Sequence, residues 1–564
     1  MNNLTRGLIL AALFGLLAAT PMRGQTSAPK GAPGSITGRV TGGGDKALPG
    51  VPVVLFSAEP SSRFKVLARA TTDAEGRFTL NNIAAGRYSV LPVAPDKVVP
   101  DSSGWPPGKP VTLAAGEHAE GFDFQITKGG VITGRITDAD GNPVIGENIQ
   151  IELLDNNNQP RNLDYNYRPG MGGRETDDRG IYRVYGLTGG RYRVGAGDDP
   201  TSEGFRMGGR RGFYMRVYYP NVSDKAEAKI IDVAEGSEAT EIDITLGPLA
   251  QTYKVSGRVV NAESGQPVAG VPLGYGKMAK EGHHLNNYGS GLGMATNARG
   301  EFSIDNVLPG RYGTFVSTQD GNDGLYSDTA IFEVTDRDVT GIEVKVHQGV
   351  TISGSVVVEG ASDRNLVARL MTQISLSAHT EEPGQTVAPR WSPTKVSADG
   401  SFRLTGVRPG KVRIRMGNWP PVKGLTHVRV EHNGVDQKDG MDVAAGDQVA
   451  GVRVVVAYGT GMLRGQVNVV GGVLPEGVRM IVHARRQDSN SSQFKQFIEV
   501  DARGRFLIEG LAAGEYELVL GSWSRGPGGQ PMPEVRQSVA VSDSSESNVT
   551  MIFNLAPQKR EDAP

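Results

Sequence analysis

Apolar and polar residues alternate along this chain in short bursts, and one burst returns five times. It reads TDAEGRFTLNNIAAGRYSV from Thr72, TDDRGIYRVYGLTGGRYRV from Thr176, TNARGEFSIDNVLPGRYGTFV from Thr296, SADGSFRLTGVRPGKVRIR from Ser397 and VDARGRFLIEGLAAGEYELVL from Val500. Each copy predicts a turn, a strand, a second turn and another strand. The first turn ends in Gly76, Gly180, Gly300, Gly400 or Gly504, which supplies the positive backbone angle of a tight reversal. An aromatic follows two residues later, at Phe78, Tyr182, Phe302, Phe402 and Phe506. From there the period of two puts Phe78 and Leu80 on one face and Arg77 and Thr79 on the other, as in a strand with one buried side. Gly86, Gly190, Gly310, Gly410 and Gly514 make the second reversal, and Tyr88, Tyr192, Tyr312 and Tyr516 re-enter the sheet, with Val412 in the fourth copy.

The segments around this hairpin recur as well. Each unit opens with a strand: SITGRV, VITGRI, KVSGRV, TISGSV or MLRGQV. The shared glycine of these strands (Gly38 in the first) is expected where a neighbouring strand or a large side chain comes too close for a Cβ. In three units a Pro and Gly turn then leads to a second strand, as in ALPGVPVVLF from Ala47. Each unit ends on an apolar, alternating pair such as VTLAAGEHAEGFDFQI, which predicts a closing hairpin. About seven short strands per unit with almost no helical periodicity predict an all-β fold of five tandem seven-stranded antiparallel β-sandwiches. The expected units are 34–127, 128–247, 248–347, 348–458 and 459–555, followed by a disordered tail at 556–564. The connections between units are a few residues long, which predicts a semi-rigid rod.

Bulk properties narrow the function. A length of 564 residues suggests about four domains, which the repeats correct to five. With 59 Lys and Arg against 61 Asp and Glu, the balance of charge does not favour a polyanion, so no nucleic acid partner is expected. Absence of cysteine excludes disulfides, thiolate metal sites and cysteine nucleophiles. At the N-terminus, Arg6 precedes an apolar run from Leu8 to Ala19, and Pro21 and a small-residue stretch to Gly24 follow. That pattern predicts a secretory signal peptide over 1–24 and a linker over 25–33. The run is too short for a permanent membrane span, so the folded part is expected in the periplasm, at the outer membrane surface or outside the cell.

The succession of G-x-V, a Pro-Gly turn, D-x-x-G-x-F and a G-x-Y strand resembles the carboxypeptidase regulatory-like domain, with its transthyretin-like and starch-binding-like relatives. The resemblance covers nearly all of the mature chain. It implies prealbumin-like sandwiches that serve as accessory modules, in a superfamily that includes sugar binders, and it specifies an activity poorly.

Candidate chemistry is sparse. His379 and Glu382 have the spacing of two zinc ligands, but no third ligand, HExxH motif or peptidase-like segment accompanies them. His283 and His284 read as a solvated loop pair. DADGN at Asp138 lacks the downstream pattern of a calcium loop and reads as a turn. GSGLG at Gly289 lacks the strand and helix of a phosphate loop. Lys254 has no Asn in its unit's closing strand, so no Lys to Asn cross-link is expected. Hence no catalytic residue, metal or cofactor is expected. The remaining candidates are aromatic. Trp105, Trp419 and Trp523 lie beyond the G-x-Y strand, the latter two each seven residues past Val412 and Tyr516, and Tyr165 and Tyr167 occupy a long loop of the second unit. By the resemblance they are sugar-stacking platforms, and by the alternative reading the tryptophans plug the end of each sandwich. The expected partner is a polysaccharide or an envelope protein, with a purely structural or protein-binding module as the second reading.

Overall fold

The computed structural model describes residues 31–59, 65–94, 97–99, 107–160, 172–199, 212–278, 285–317, 324–381, 394–418, 421–475, 478–489, 497–522 and 532–556. The expected signal peptide, most of the linker after it and the C-terminal tail from 557 lie outside these. Five hydrophobic cores follow one another along the chain: around Ile36, Leu80 and Val90; around Ile132, Val184 and Val194; around Val255, Ile304 and Val344; around Ile352, Leu404 and Val454; and around Leu463, Ile508 and Phe553. No helix among the described residues is long and apolar enough to cross a membrane.

Each core lies between two sheets, and the third unit shows the plan. Its opening strand, Tyr253–Asn261, runs antiparallel to the hairpin strand Glu301–Val307 and parallel to the closing strand Val339–Gln348. The other sheet has the order Leu285–Ala295, Pro272–Met278, Gly310–Val316, Ala330–Val334, all antiparallel. The expected closing hairpin is therefore an arch. Its first arm, Ala330–Val334, joins the second sheet, and its second arm crosses the core to the first sheet, which becomes mixed. The same crossing occurs in the first unit, where Lys109–Leu113 pairs with Gly86–Pro92 while His118–Ala119 and Phe124–Gln125 run parallel to Gly34–Thr41.

The opening-strand glycine sits at the tightest point of this plan. In register it lies opposite the repeat aromatic: Gly38 faces Phe78, Gly134 Tyr182, Gly257 Phe302, Gly354 Phe402 and Gly465 Phe506. On its other side the closing strand bulges at a positive-φ residue, Gly121, Glu241, Gly341 or Gly451, which turns the next carbonyl towards it. A Cβ on Gly257 would stand 2.1 Å from the Ile342 carbonyl oxygen, and one on Gly354 would stand 1.8 Å from that of Val452. In the second unit the same carbonyl, on Ile242, accepts the buried Tyr182 hydroxyl at 2.6 Å. The fifth unit has no such bulge: Gly461–Val470 pairs with Glu546–Asn554 without a register shift, and its glycine accommodates the Phe506 ring instead.

Two further devices hold the hairpin. The re-entering tyrosine donates its hydroxyl to a carbonyl four residues back, Tyr88 to Ala84 at 2.9 Å, Tyr192 to Thr188 at 2.6 Å, Tyr312 to Leu308 at 2.9 Å and Tyr516 to Ala512 at 3.0 Å. This pins the second reversal to the sheet, as a tyrosine corner does in other sandwiches. In the three units with a Pro-Gly turn, a buried threonine ties that turn down. Thr296, for example, accepts the Val271 N–H at 3.0 Å and donates to the Val268 carbonyl at 2.8 Å, and Thr72 and Thr176 do the same. Where the Pro-Gly turn is missing, the buried apolar side chains Val396 and Val500 take this place. The fourth unit fills the gap with a helix, Arg364–Met371, which the alternation did not predict. Asp363 caps it by accepting the Asn365 N–H, and Leu370 and Met371 are buried from it.

The expected semi-rigid rod is corrected to a chain that doubles back on itself. Strands Val339–Gln348 and Val350–Glu359 are separated by one residue, and Arg408 of the fourth unit grips the third through Asp328 at 3.0 Å and the Ser327 carbonyl at 2.7 Å. Lys423 of the fourth unit meets Glu509 of the fifth at 3.1 Å. These contacts join neighbouring units, and the fifth unit comes back into contact with the first.

Two outcomes follow for stability. Gly354→Ala forces the Val452 carbonyl away and is expected to destabilise the fourth unit by about 1–3 kcal/mol. Urea unfolding read by hydrogen exchange should show the loss in that unit, and unchanged protection there would contradict the packing. Burial pushes the Tyr312 phenol up to about 12 from 10.0. Between those values the unfolded chain has lost this proton while the folded one keeps it, so stability falls as pH rises through the window and is unaffected below it. The fall is about 3 kcal/mol, and urea midpoints of the third unit for Tyr312→Phe should lose that part of the alkaline slope.

Candidate functional site

The five aromatic candidates, Trp105, Trp419, Trp523, Tyr165 and Tyr167, all lie outside the described residues. What is described is how the chain approaches them. Strands Gly410–Met416 and Gly514–Ser522 occupy the same place in their units, each next to the edge strand of the second sheet, and the segments carrying Trp419 and Trp523 begin where they end. Just before Trp419 the chain is fixed by Asn418, which accepts the Ser375 N–H at 2.9 Å and donates to the Gln373 carbonyl at 2.6 Å. After Trp105 the chain returns at Pro107, whose carbonyl accepts the buried Ser89 hydroxyl at 2.6 Å.

The corresponding end of the second unit carries a carboxylate pair. Glu147 accepts the Gly197 N–H at 2.9 Å, and Arg216 donates to the Gly197 carbonyl at 2.7 Å. Burial, and then the charge of Asp198, push the Glu147 carboxyl up against the opposing Gly197 N–H and Arg216, and burial raises Asp198 too. The Glu147 bond goes to the backbone N–H of Gly197 beside Asp198, so this carboxylate braces the end of strand Gly190–Ala196.

The metal candidates take ordinary places. His379 lies in strand Ser375–Glu381, paired with Arg413, where burial and the nearby Arg415 charge lower its pKa. Glu382, His283 and His284 lie outside the described residues. Asp138 is a turn residue whose Oδ1 accepts the N–H groups of Asp140 and Asn142 at 3.0 and 2.8 Å, which hold its carboxyl below the usual range. The backbone of Gly289 lies within strand Leu285–Ala295. Among the described residues no group of three or more His, Asp or Glu is placed to hold a metal ion.

The most fully built polar site joins the two ends of the array, and it grows from the repeat itself. At the first turn of four units an Asp or Asn side-chain oxygen accepts the N–H groups two and four residues ahead. In the second unit Asp177 takes Arg179 and Ile181 at 2.9 and 2.8 Å, and in the fifth Asp501 takes Arg503 and Arg505 at 2.9 and 2.8 Å. Only Asp501 is buried, 3 % exposed, because its second oxygen accepts the Thr112 N–H of the first unit at 3.0 Å. Arg503 donates to the Thr112 carbonyl and to Glu117, each at 2.7 Å, and Arg505 donates to the same Glu117 oxygen. The Arg503 guanidinium lies 5.5 Å from the centre of the Phe122 ring. Thr112 belongs to Lys109–Leu113, the edge strand of its sheet, so the turn engages both outward-facing backbone groups of one residue. Burial works against the Glu117 charge, yet the Ala114 N–H and the two guanidinium groups hold its carboxyl below the usual range.

Sequence reasoning missed this site. The visible trace was D-A-R-G-R, in which Arg505 adds a second cation that the turns at Thr176 and Thr296 lack. Nothing in the sequence pairs that motif with Glu117, 386 residues away from Arg503.

Comparison with known proteins agrees with the fold. Residues 35–126 match the carboxypeptidase regulatory-like domain. No curated protein matches the chain. Among solved structures, the Bacillus anthracis TIE protein matches at 16% identity over 56% of this chain and 51% of its own, with a TM-score of 0.15. A Streptococcal ancillary pilin matches at 12% identity over 56% of this chain and 98% of its own, TM-score 0.24. BcpA, the major pilin subunit of Bacillus cereus, matches at 10% identity over 56% of this chain and 100% of its own, TM-score 0.14. The chain thus spans about half the length of the first of these structures and nearly all of the other two. Residues 35–126 are thus similar to a carboxypeptidase regulatory-like domain, and they form the first of the five successive two-sheet units among the described residues.

Proposed function

We propose that this chain is an exported, non-catalytic interaction module of the cell envelope whose sandwiches present binding surfaces. The observation that carries this reading is where its buried charge goes. Asp501, Arg503 and Arg408 make polar contacts to backbone and side chains at turns and unit boundaries, which is the chemistry of association. The N-terminal apolar run supports export.

Within that role the preferred ligand is a polysaccharide, bound weakly at several loops. The supporting feature is that Trp419 and Trp523 follow directly from equivalent strands in two units, so two copies of one feature would act on one polymer and gain avidity. The alternative partner is an envelope protein.

Binding to immobilised polysaccharides distinguishes the two. The sugar reading expects retention that falls at least tenfold in Trp419→Ala with Trp523→Ala, and tryptophan fluorescence quenched by iodide. Unchanged retention, or blue-shifted fluorescence that iodide does not reach, would overturn it in favour of tryptophans that plug the sandwich ends.

A further inference from the structure

We propose that the Asp501–Arg505 turn and the Thr112–Glu117 edge form a self-recognition pair: it closes one chain onto itself and, when that closure opens, joins one copy of the chain to another.

The argument starts from what the contact reads. An edge strand presents unpaired N–H and C=O groups, and a sheet edge left open is a template for association. Here both backbone groups of Thr112 are taken by side chains, an Asp501 carboxylate on the N–H and an Arg503 guanidinium on the carbonyl. The carboxylate is fully served, because it also accepts the Arg503 and Arg505 N–H groups and an Arg503 guanidinium N–H. A buried charge needs such saturation to be tolerated at all. The turn is thus preorganised by its own backbone, which holds one Asp501 oxygen, and presents the second to the partner strand.

Specificity comes from the second contact. Arg503 and Arg505 converge on Glu117, which is itself held in place by the Ala114 N–H at 2.8 Å. The turn of the second unit has the Asp177 and Arg179 equivalents of Asp501 and Arg503. It lacks the second arginine, having Ile181 there, and its pair remains exposed. The fifth-unit turn is therefore matched to the first-unit edge by more than the common turn geometry.

The two halves differ and sit at opposite ends of the same polypeptide. Every copy carries one of each, so the contact is heterologous, and what is made within a chain is equally available between chains. The three intervening units decide between them through effective concentration, which favours closure in dilute solution. The charged part of the clasp is partly exposed, with Glu117, Arg503 and Arg505 side chains at 18, 23 and 40 %. Salt therefore weakens it.

Complementary full-length variants provide the test. Glu117→Arg spoils the edge and leaves the turn, while Arg503→Glu with Arg505→Glu spoils the turn and leaves the edge. Each alone is expected to be monomeric, with a larger radius of gyration by small-angle scattering than wild type at low salt. An equimolar mixture at high protein concentration is expected to form a 1:1 dimer in sedimentation, dissociating as salt rises. Because Glu117 and Arg503 also serve their own units, Arg505→Glu alone is the control, since the Arg505 side chain bonds Glu117 across the contact. It should keep the wild-type melting temperature and still expand. Variants with wild-type dimensions would overturn the closure, and a mixture that stays monomeric would overturn the pairing between copies.

Discussion

Every unit is organised by one steric requirement: a position without a Cβ in the opening strand, pressed between the repeat aromatic on one side and, in four units, a carbonyl of the closing strand on the other. With only hydrogen at Gly257 or Gly354, the closing strand approaches closely enough to run parallel beside the opening strand after arching over the core. The aromatic then fills the space above the glycine and covers the core end. The rest of the unit supports this crossing. The tyrosine corner sets where the hairpin returns, the buried threonine sets where the Pro-Gly turn lies, and the bulge at Gly341 or Gly451 aims the carbonyl. The fifth unit shows the alternative solution, in which a continuous closing strand leaves the glycine to the Phe506 ring alone.

Much of this was legible because it is local. The paired glycines, the aromatic two residues on and the G-x-Y step each encode backbone geometry within a few residues, and the alternation assigns the buried face. Even the bulge before Ile83 and Val307 leaves a trace, since its positive-φ position is Asn82 or Asn306 in two units and Gly186, Gly406 or Gly510 in the others. The parallel pairing was not legible, because alternation reports a strand's buried face and carries no sign of its neighbour's direction. The Arg364–Met371 helix was missed because two turns with Leu366, Val367, Leu370 and Met371 are too short to stand out from a strand-rich background.

The candidate site divides differently. The tryptophans and tyrosines were singled out by residue type and by their place after a repeated strand, which is a statement about loops. The clasp lies where a repeated turn acquires a role its siblings do not have. Asp501 looks like Asp177 in sequence, and it is buried because the chain returns the first unit's edge to it, where Arg503 and Arg505 meet Glu117. Short joints such as the Arg408 contact make that return reproducible, so the arrangement of units depends on many small polar contacts whereas each unit depends on its core.

Hydrogen exchange across the intact chain tests the central steric claim most directly. If the Cβ-free crossing organises each unit, the slowest-exchanging amides in all five will lie in the opening strand and the hairpin strand opposite it, among them Ile132, Val255 and Leu463 with their partners Val184, Ile304 and Ile508. Slowest exchange in the second sheets, with the opening strands exchanging early, would contradict it.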